Sequence, residues 1–223
     1  MITSGRVFCR APQESSESIR SFSDVVSSYI RDHRGFAADD LDFYRNQRSL
    51  RDAIELAARC VRRDGKRQSH QRRLRAVVLN EAAEVLQDAH RAIRRCDDFH
   101  ELITLLTEKI GHIYGLGELA IYDIAHRIGA YLGVRPEKVY LHRGTRDGAK
   151  VLGLDNRKDT IEVQNLPRTF LRLRPDEIED CLCIYKAVLR KLAQGESPFV
   201  RGSKAGTCMV STVRGPAKAH FRC

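Results

Sequence analysis

At 223 residues, with 42% apolar and 30% charged side chains, the chain is long enough to bury a core and too hydrophobic to be disordered throughout. Its 39 Lys+Arg outnumber 29 Asp+Glu, a balance that favours polyanions such as nucleic acid or, less often, an anionic membrane surface. No apolar run approaches the ~18 residues of a membrane-spanning helix, and "MITSGRVFCRAPQESSE" lacks the apolar stretch of a secretory signal. A cytoplasmic protein is expected, nucleoid-associated if bacterial, with no membrane partner.

Residues 1–13 read as a flexible N-terminus. Ile19, Phe22, Val26, Tyr29 and Ile30 then follow a 3.6-residue period behind a serine-rich start. Leu50, Ile54, Ala57 and Val61 make a second stripe. Leu74, Val77, Val78, Val85, Leu86, Ala89 and Ile93 make a third, the longest. Asp97 or Asp98 caps a fourth helix, with Glu101 in its acidic first turn and Phe99, Leu102, Ile103, Leu106, Ile110 and Ile113 along its buried face. Leu119, Tyr122, Ile128, Tyr131 and Leu132 give a fifth, which stops at Gly133.

A sixth helix begins near Thr145 and ends near Gly153. Pro175 opens the last, where Ile178, Cys181, Ile184, Tyr185, Val188, Leu189 and Leu192 line one face. Only "DTIEVQN", 159–165, has the alternation of a strand. The expected fold is therefore mostly α, one helical domain over 14–194 followed by a loose basic tail over 195–223 with five Lys/Arg and one Glu. The seven cysteines contain no Cys-x-x-Cys, and Cys181 and Cys183 lie two apart on a helix and so face differently. Neither a metal nor another cofactor is expected, and the thiols are expected to be reduced.

The one short motif that suggests a chemistry is Gly115-Leu116-Gly117, between the fourth and fifth helices. It fits an ordinary helix ending on glycine. It also fits a hairpin in which glycines bring bare backbone close to a phosphate, the apolar residue plugs the turn into the core, and unpaired N–H groups of the second helix face the anion.

The stretch "EKIGHIYGLGELAIYDIAHRIGAYLG", with "VYLH" at 139–142, resembles the helix-hairpin-helix DNA glycosylase superfamily over roughly residues 99–153. That resemblance implies a hairpin motif over 99–142, Gly115, Leu116 and Gly117 as the phosphate grip, and Val139 and His142 as matches to the family's "V-D-x-H" segment. It also implies double-stranded DNA as partner, base flipping and hydrolysis of an N-glycosidic bond. Tyr140 stands where the family has its catalytic aspartate. Glu118-Leu119-Ala120 lacks the lysine that some members use for lyase chemistry, so any activity would be monofunctional and leave an abasic site.

A replacement carboxylate is then required, because the developing oxocarbenium charge or the attacking water needs one. Asp123 lies three residues before His126 and is expected to share a proton or hydrogen bond with it. Asp147 lies among His142, Arg143, Arg146 and Lys150, which would keep it ionised. Asp180, in "PDEIED", is placed to face inward, and Tyr140 itself suits stacking on a flipped base or filling core. Glu118 would repel a phosphate unless it caps its helix.

"RRDGKRQSHQRRLR", 62–75, holds seven Lys/Arg and one acid without an aromatic. Lys66, Arg67, Arg72 and Arg73 therefore suit a phosphate track better than base readout, with His142, Arg143 and Arg146 as further contacts. The retained "VYLH" segment with its Arg/His surroundings favours a monofunctional glycosylase; the alternatives are a DNA-binding protein without catalysis and a helical scaffold whose basic face meets an acidic protein or RNA. No obligatory protein partner is implied.

Overall fold

A computed structural model describes residues 19–195. The N-terminus expected to be loose, and the basic tail beyond Gly195, lie outside the described residues. Ten helices and a two-stranded ribbon occupy the described residues.

Helix α1 (Phe22–Asp32) starts at a capping box: the Ser21 hydroxyl accepts from the Asp24 amide, and the Asp24 carboxylate accepts from the Ser21 amide. After His33 the chain continues at once as α2 (Arg34–Arg45). No helix is expected there from apolar period, because only Tyr44 of α2 is buried. Packing against α7 holds it instead. Ser49 caps α3 (Leu50–Ala58).

The basic stretch is more ordered than a solvated loop. Val61 pairs with Arg67, Arg62 donates to the Lys66 carbonyl at 2.8 Å, and Gly65 takes φ +73° in the turn. A short 3-10 turn, Ser69–Gln71, follows. The single long third helix expected over 74–93 is two helices, α4 (Ala76–Asp88) and α5 (His90–Ile93). They part where the His90 ring turns back to within 3.0 Å of the Gln87 carbonyl.

Helix α6 (Phe99–Ile110) is capped by Asp98, whose carboxylate accepts from the Glu101 amide at 2.8 Å. Helix α7 (Glu118–Leu132) ends at Gly133 in the left-handed region, φ +82°, the usual glycine stop. Strand β1 (Val139–Tyr140) precedes α8 (Arg143–Val151) and pairs antiparallel with β2 (Thr160–Ile161), Val139 opposite Ile161. The expected strand thus shrinks to two residues, and a 3-10 turn occupies Val163–Asn165. The expected single last helix divides into α9 (Pro175–Ile184) and α10 (Lys186–Ala193) at Tyr185, which leaves helical geometry at ψ 10° to bury its ring.

Two apolar clusters form the interior. One joins the end of α2 with α3, α4, α6 and α7; the other joins α1, the ribbon, α8, α9 and α10. Chain order does not separate them, since α1 folds back onto the C-terminal helices. Among the described residues no helix is long and apolar enough to cross a membrane.

Replacing Asp98 by alanine removes the acceptor that opens α6. A loss of about 1 kcal/mol, a fall of ~2–4 °C in thermal midpoint, is expected by circular dichroism. An unchanged midpoint would show that the turn into α6 is held by something other than this cap.

Candidate nucleic-acid interface

Between α6 and α7 the chain turns a corner over residues 111–117, pinned from inside and open outside. Ile113 and Leu116 are buried in the first apolar cluster, the Leu116 amide donates to the Ile113 carbonyl at 3.1 Å, and Gly111, Tyr114, Gly115 and Gly117 are exposed. Gly115 adopts φ +98°, which an L side chain rarely tolerates. Gly117 is different. At φ −96° and ψ 170° it has an ordinary extended backbone, and a Cβ added to it would meet nothing within 4 Å. Neither backbone nor packing among the described residues demands glycine at 117.

Gly117 is also the N-cap of α7, and no side chain caps that helix. The first carbonyl to be used is Gly117's own, by the amides of Ala120 and Ile121. The amides of Glu118 and Leu119 therefore face solvent without an intrahelical partner. The other helices meet this need in various ways. Ser21, Ser49, Asp98 and His142 cap α1, α3, α6 and α8; α2, α5 and α10 run on from preceding helices; α9 opens on Pro175, which has no N–H.

The remaining exception is α4, whose N-cap Arg75 gives no side-chain hydrogen bond. The start of α4 adjoins the corner that leads into α7: Val78, in the first turn of α4, is the 3.7 Å neighbour of the Cβ position of Gly115. Arg72, Arg73 and Arg75 lie exposed on the approach to α4 and make no ion pair with described residues. Positive main-chain dipoles and guanidinium charge thus occur together.

The other predicted basic residues divide. Lys66 is exposed and lies 3.9 Å from Asp64; Arg67 is half-buried and donates to the Leu74 carbonyl at 2.7 Å. Arg143 is exposed at the start of α8. Arg146 is occupied by the Asn156 and Lys158 carbonyls and Asp159, and stands 3.9 Å from the exposed Glu118. His142 is buried, its Nδ1 accepting from the Gly144 amide and its Nε2 on Glu179.

Asp123 does not share a hydrogen bond with His126, as their spacing suggests it should. Its Oδ2 accepts from Gln71 Nε2 at 2.7 Å and pairs with His70 Nε2 at 2.8 Å, with Arg127 at 3.7 Å. Burial alone would raise its carboxyl; the His70 bond and the Arg127 charge outweigh that and hold it below the ordinary value. The group therefore anchors the end of the basic stretch to the side of α7. His126 turns instead to Asp176 at 3.7 Å, and burial lowers its imidazole. Asp147 is exposed, and the expected neighbour Arg146 faces away from it.

Tyr140 is half-buried in an aromatic stack, 5.2 Å from the Phe99 ring and 5.8 Å from that of Tyr122, with its hydroxyl 3.3 Å from His100 Nδ1. Burial, with the charge of Asp98, pushes its phenol up to about 12, so it stays protonated at neutral pH.

Behind it α9 buries an acidic start whose partners the sequence pattern does not reveal. Glu177 accepts from Arg34 Nε at 2.7 Å and Nη2 at 2.9 Å; Asp180 accepts from the Tyr29 hydroxyl at 3.0 Å; Glu179 meets His142. Burial raises the carboxyls of Glu179 and Asp180 well above the ordinary range and lowers His142. The same burial thus biases Glu179 toward its protonated form and His142 toward its neutral form, and Nδ1, which accepts from Gly144, leaves Nε2 as the nitrogen that faces Glu179 with the proton. No group of three or more His, Cys, Asp or Glu among the described residues is arranged to hold a metal. Compared with known proteins, the chain matches no family model, no curated protein and no solved structure.

These carboxyls give a pH dependence of definite sign. A carboxyl that holds its proton more tightly when folded stabilises below its unfolded value and loses that contribution as pH rises toward the folded one. Glu179→Gln with Asp180→Asn, which mimic the protonated forms, are expected to raise the thermal midpoint at pH 8 by ~2–4 °C or more and to leave it nearly unchanged at pH 4. Scanning fluorimetry from pH 4 to 9 reads the difference; parallel curves for the two proteins would place charged carboxylates in the fold.

Proposed function

We propose that this protein binds the backbone of double-stranded DNA through a helix-hairpin-helix corner, residues 111–117, with the adjoining start of α4. One observation carries the reading. Two helix starts are left without a cap, the first turn of α4 touches the corner at Gly115, and the α7 start sits at a glycine whose missing side chain no described residue requires. A phosphate oxygen supplies the acceptor that the Glu118 and Leu119 amides lack, and an approach to main chain that close requires a residue without Cβ.

Arg72, Arg73 and Arg75 continue the contact along the strand, and Asp123 fixes that segment against α7 through His70 and Gln71. The resemblance in residues 99–153 supports the same ligand. Backbone contacts carry no base identity, so affinity is expected to be similar across sequences and to fall with salt, by ~10³ between 50 and 200 mM for about six phosphates.

Base excision is a second reading, favoured by the placing of Glu179 on His142, two residues from Tyr140. A protonated carboxyl beside the segment that carries the family's aspartate would act as a general acid toward the departing base. Asp123 is held by three partners and Asp147 stands apart on the surface, which makes Glu179 the better choice for that role. Binding stands first because Glu179 is buried against its own histidine.

Gly117→Asp tests the binding reading most sharply, because aspartate is a good N-cap. Stability is expected to hold or rise by a few tenths of a kcal/mol, while duplex affinity in a mobility-shift titration falls at least tenfold. Undiminished binding would reject the corner as the grip. Alkali-labile breaks in DNA carrying modified bases, lost on Glu179→Gln, would establish the second reading.

A further inference from the structure

The binding reading leaves one feature of the corner unused. Tyr114 is 91% exposed, the most exposed large apolar side chain among the described residues, yet the backbone that carries it is fixed on both sides by buried Ile113 and Leu116. The left-handed turn at Gly115 follows immediately. Two more exposed apolar side chains flank the corner, Val77 at 60% and Leu119 at 37%, each in the first turn of an uncapped helix. An aromatic ring displayed in solvent on a rigid turn, beside unneutralised arginines, has the two components of a single-strand or unstacked-base site: a planar face for a base and positive charge for its phosphates.

Resting on the backbone-binding reading, we infer that Tyr114 stacks on a base whose own stacking is interrupted, and that the preferred ligand is duplex DNA with a gap or end at the gripped phosphates. An intact duplex offers Tyr114 only paired, stacked bases, so the ring contributes nothing there. At a gap the base beside the held phosphate has a free face. The grip and the ring then act on neighbouring parts of one nucleotide, which the short tether from Tyr114 to Gly117 suits.

The chain contains no tryptophan, so Tyr114→Trp supplies a single emission signal at the inferred contact. Titrating that variant with a circular duplex carrying a one-nucleotide gap is expected to quench the emission strongly, and the same circle covalently closed, with neither gap nor end, to leave it nearly unchanged. The unaltered protein should bind the gapped duplex about 5- to 100-fold more tightly than the intact one.

Tyr114→Ala should bring the affinities for gapped and intact duplex to equality, and Tyr114→Phe should keep the preference. Equal affinity for gapped and intact duplex, or unquenched emission in the gapped complex, overturns the stacking role while the backbone grip stands. Failure of the unaltered protein to bind either duplex overturns both.

Discussion

The first main-chain amides of a helix have no partner within it, and something outside must accept from them. In this protein hydroxyls, a carboxylate and an imidazole do so for four helices, and continuity with a preceding helix does so for three. At α7 and α4 the need is left facing solvent, and the fold goes to some length to keep it there. Ile113 and Leu116 anchor the corner, so its backbone is presented rather than mobile. The adjoining cations are anchored too, through a carboxylate on the very helix whose start is exposed.

That carboxylate shows how the electrostatics divide between surface and interior. Asp123 is ionised and buried because Gln71, His70 and Arg127 supply donors and charge from two directions. Removing it would leave Arg127, itself buried and 5.6 Å from the centroid of the Tyr44 ring, without its nearest anion. Glu179 and Asp180 are the opposite case: their partners are an imidazole and a phenol, so the low-dielectric interior raises their carboxyls. The first arrangement locks the basic segment in place; the second ties α9 to α1 and to the start of α8 within the second apolar cluster.

Much of this was legible in the chain. The stripe of α6, the Asp98 cap, the Gly133 stop and the inward Leu116 follow from period and cap chemistry that act within a few residues, whereas the α7 stripe is buried at Tyr122 and Ile128 and exposed at Leu119. Helix α2 was not legible, since its burial comes from Tyr44 alone and its support from a helix more than seventy positions away. The breaks at Ala89 and Tyr185 are likewise set by tertiary contacts within a continuous apolar pattern. The partners of Asp123 are 52 and 53 residues distant, and those of Glu179 and Asp180 37 and 151. Spacing along one helix therefore pointed Asp123 to His126, the wrong neighbour. A hint existed for α9: its acids interleave with Ile178, Cys181 and Leu182, so a helix buried on that face must bury some of them as well.

The proposed grip is tested most directly by which amides respond to a duplex. In a titration of the isotope-labelled protein with a short duplex, followed by amide nuclear magnetic resonance, the largest and earliest shifts are expected at Gly117, Glu118, Leu119, Ala76 and Val77. Shifts confined to another face, with those five amides still exchanging with water as in the free protein, would contradict it.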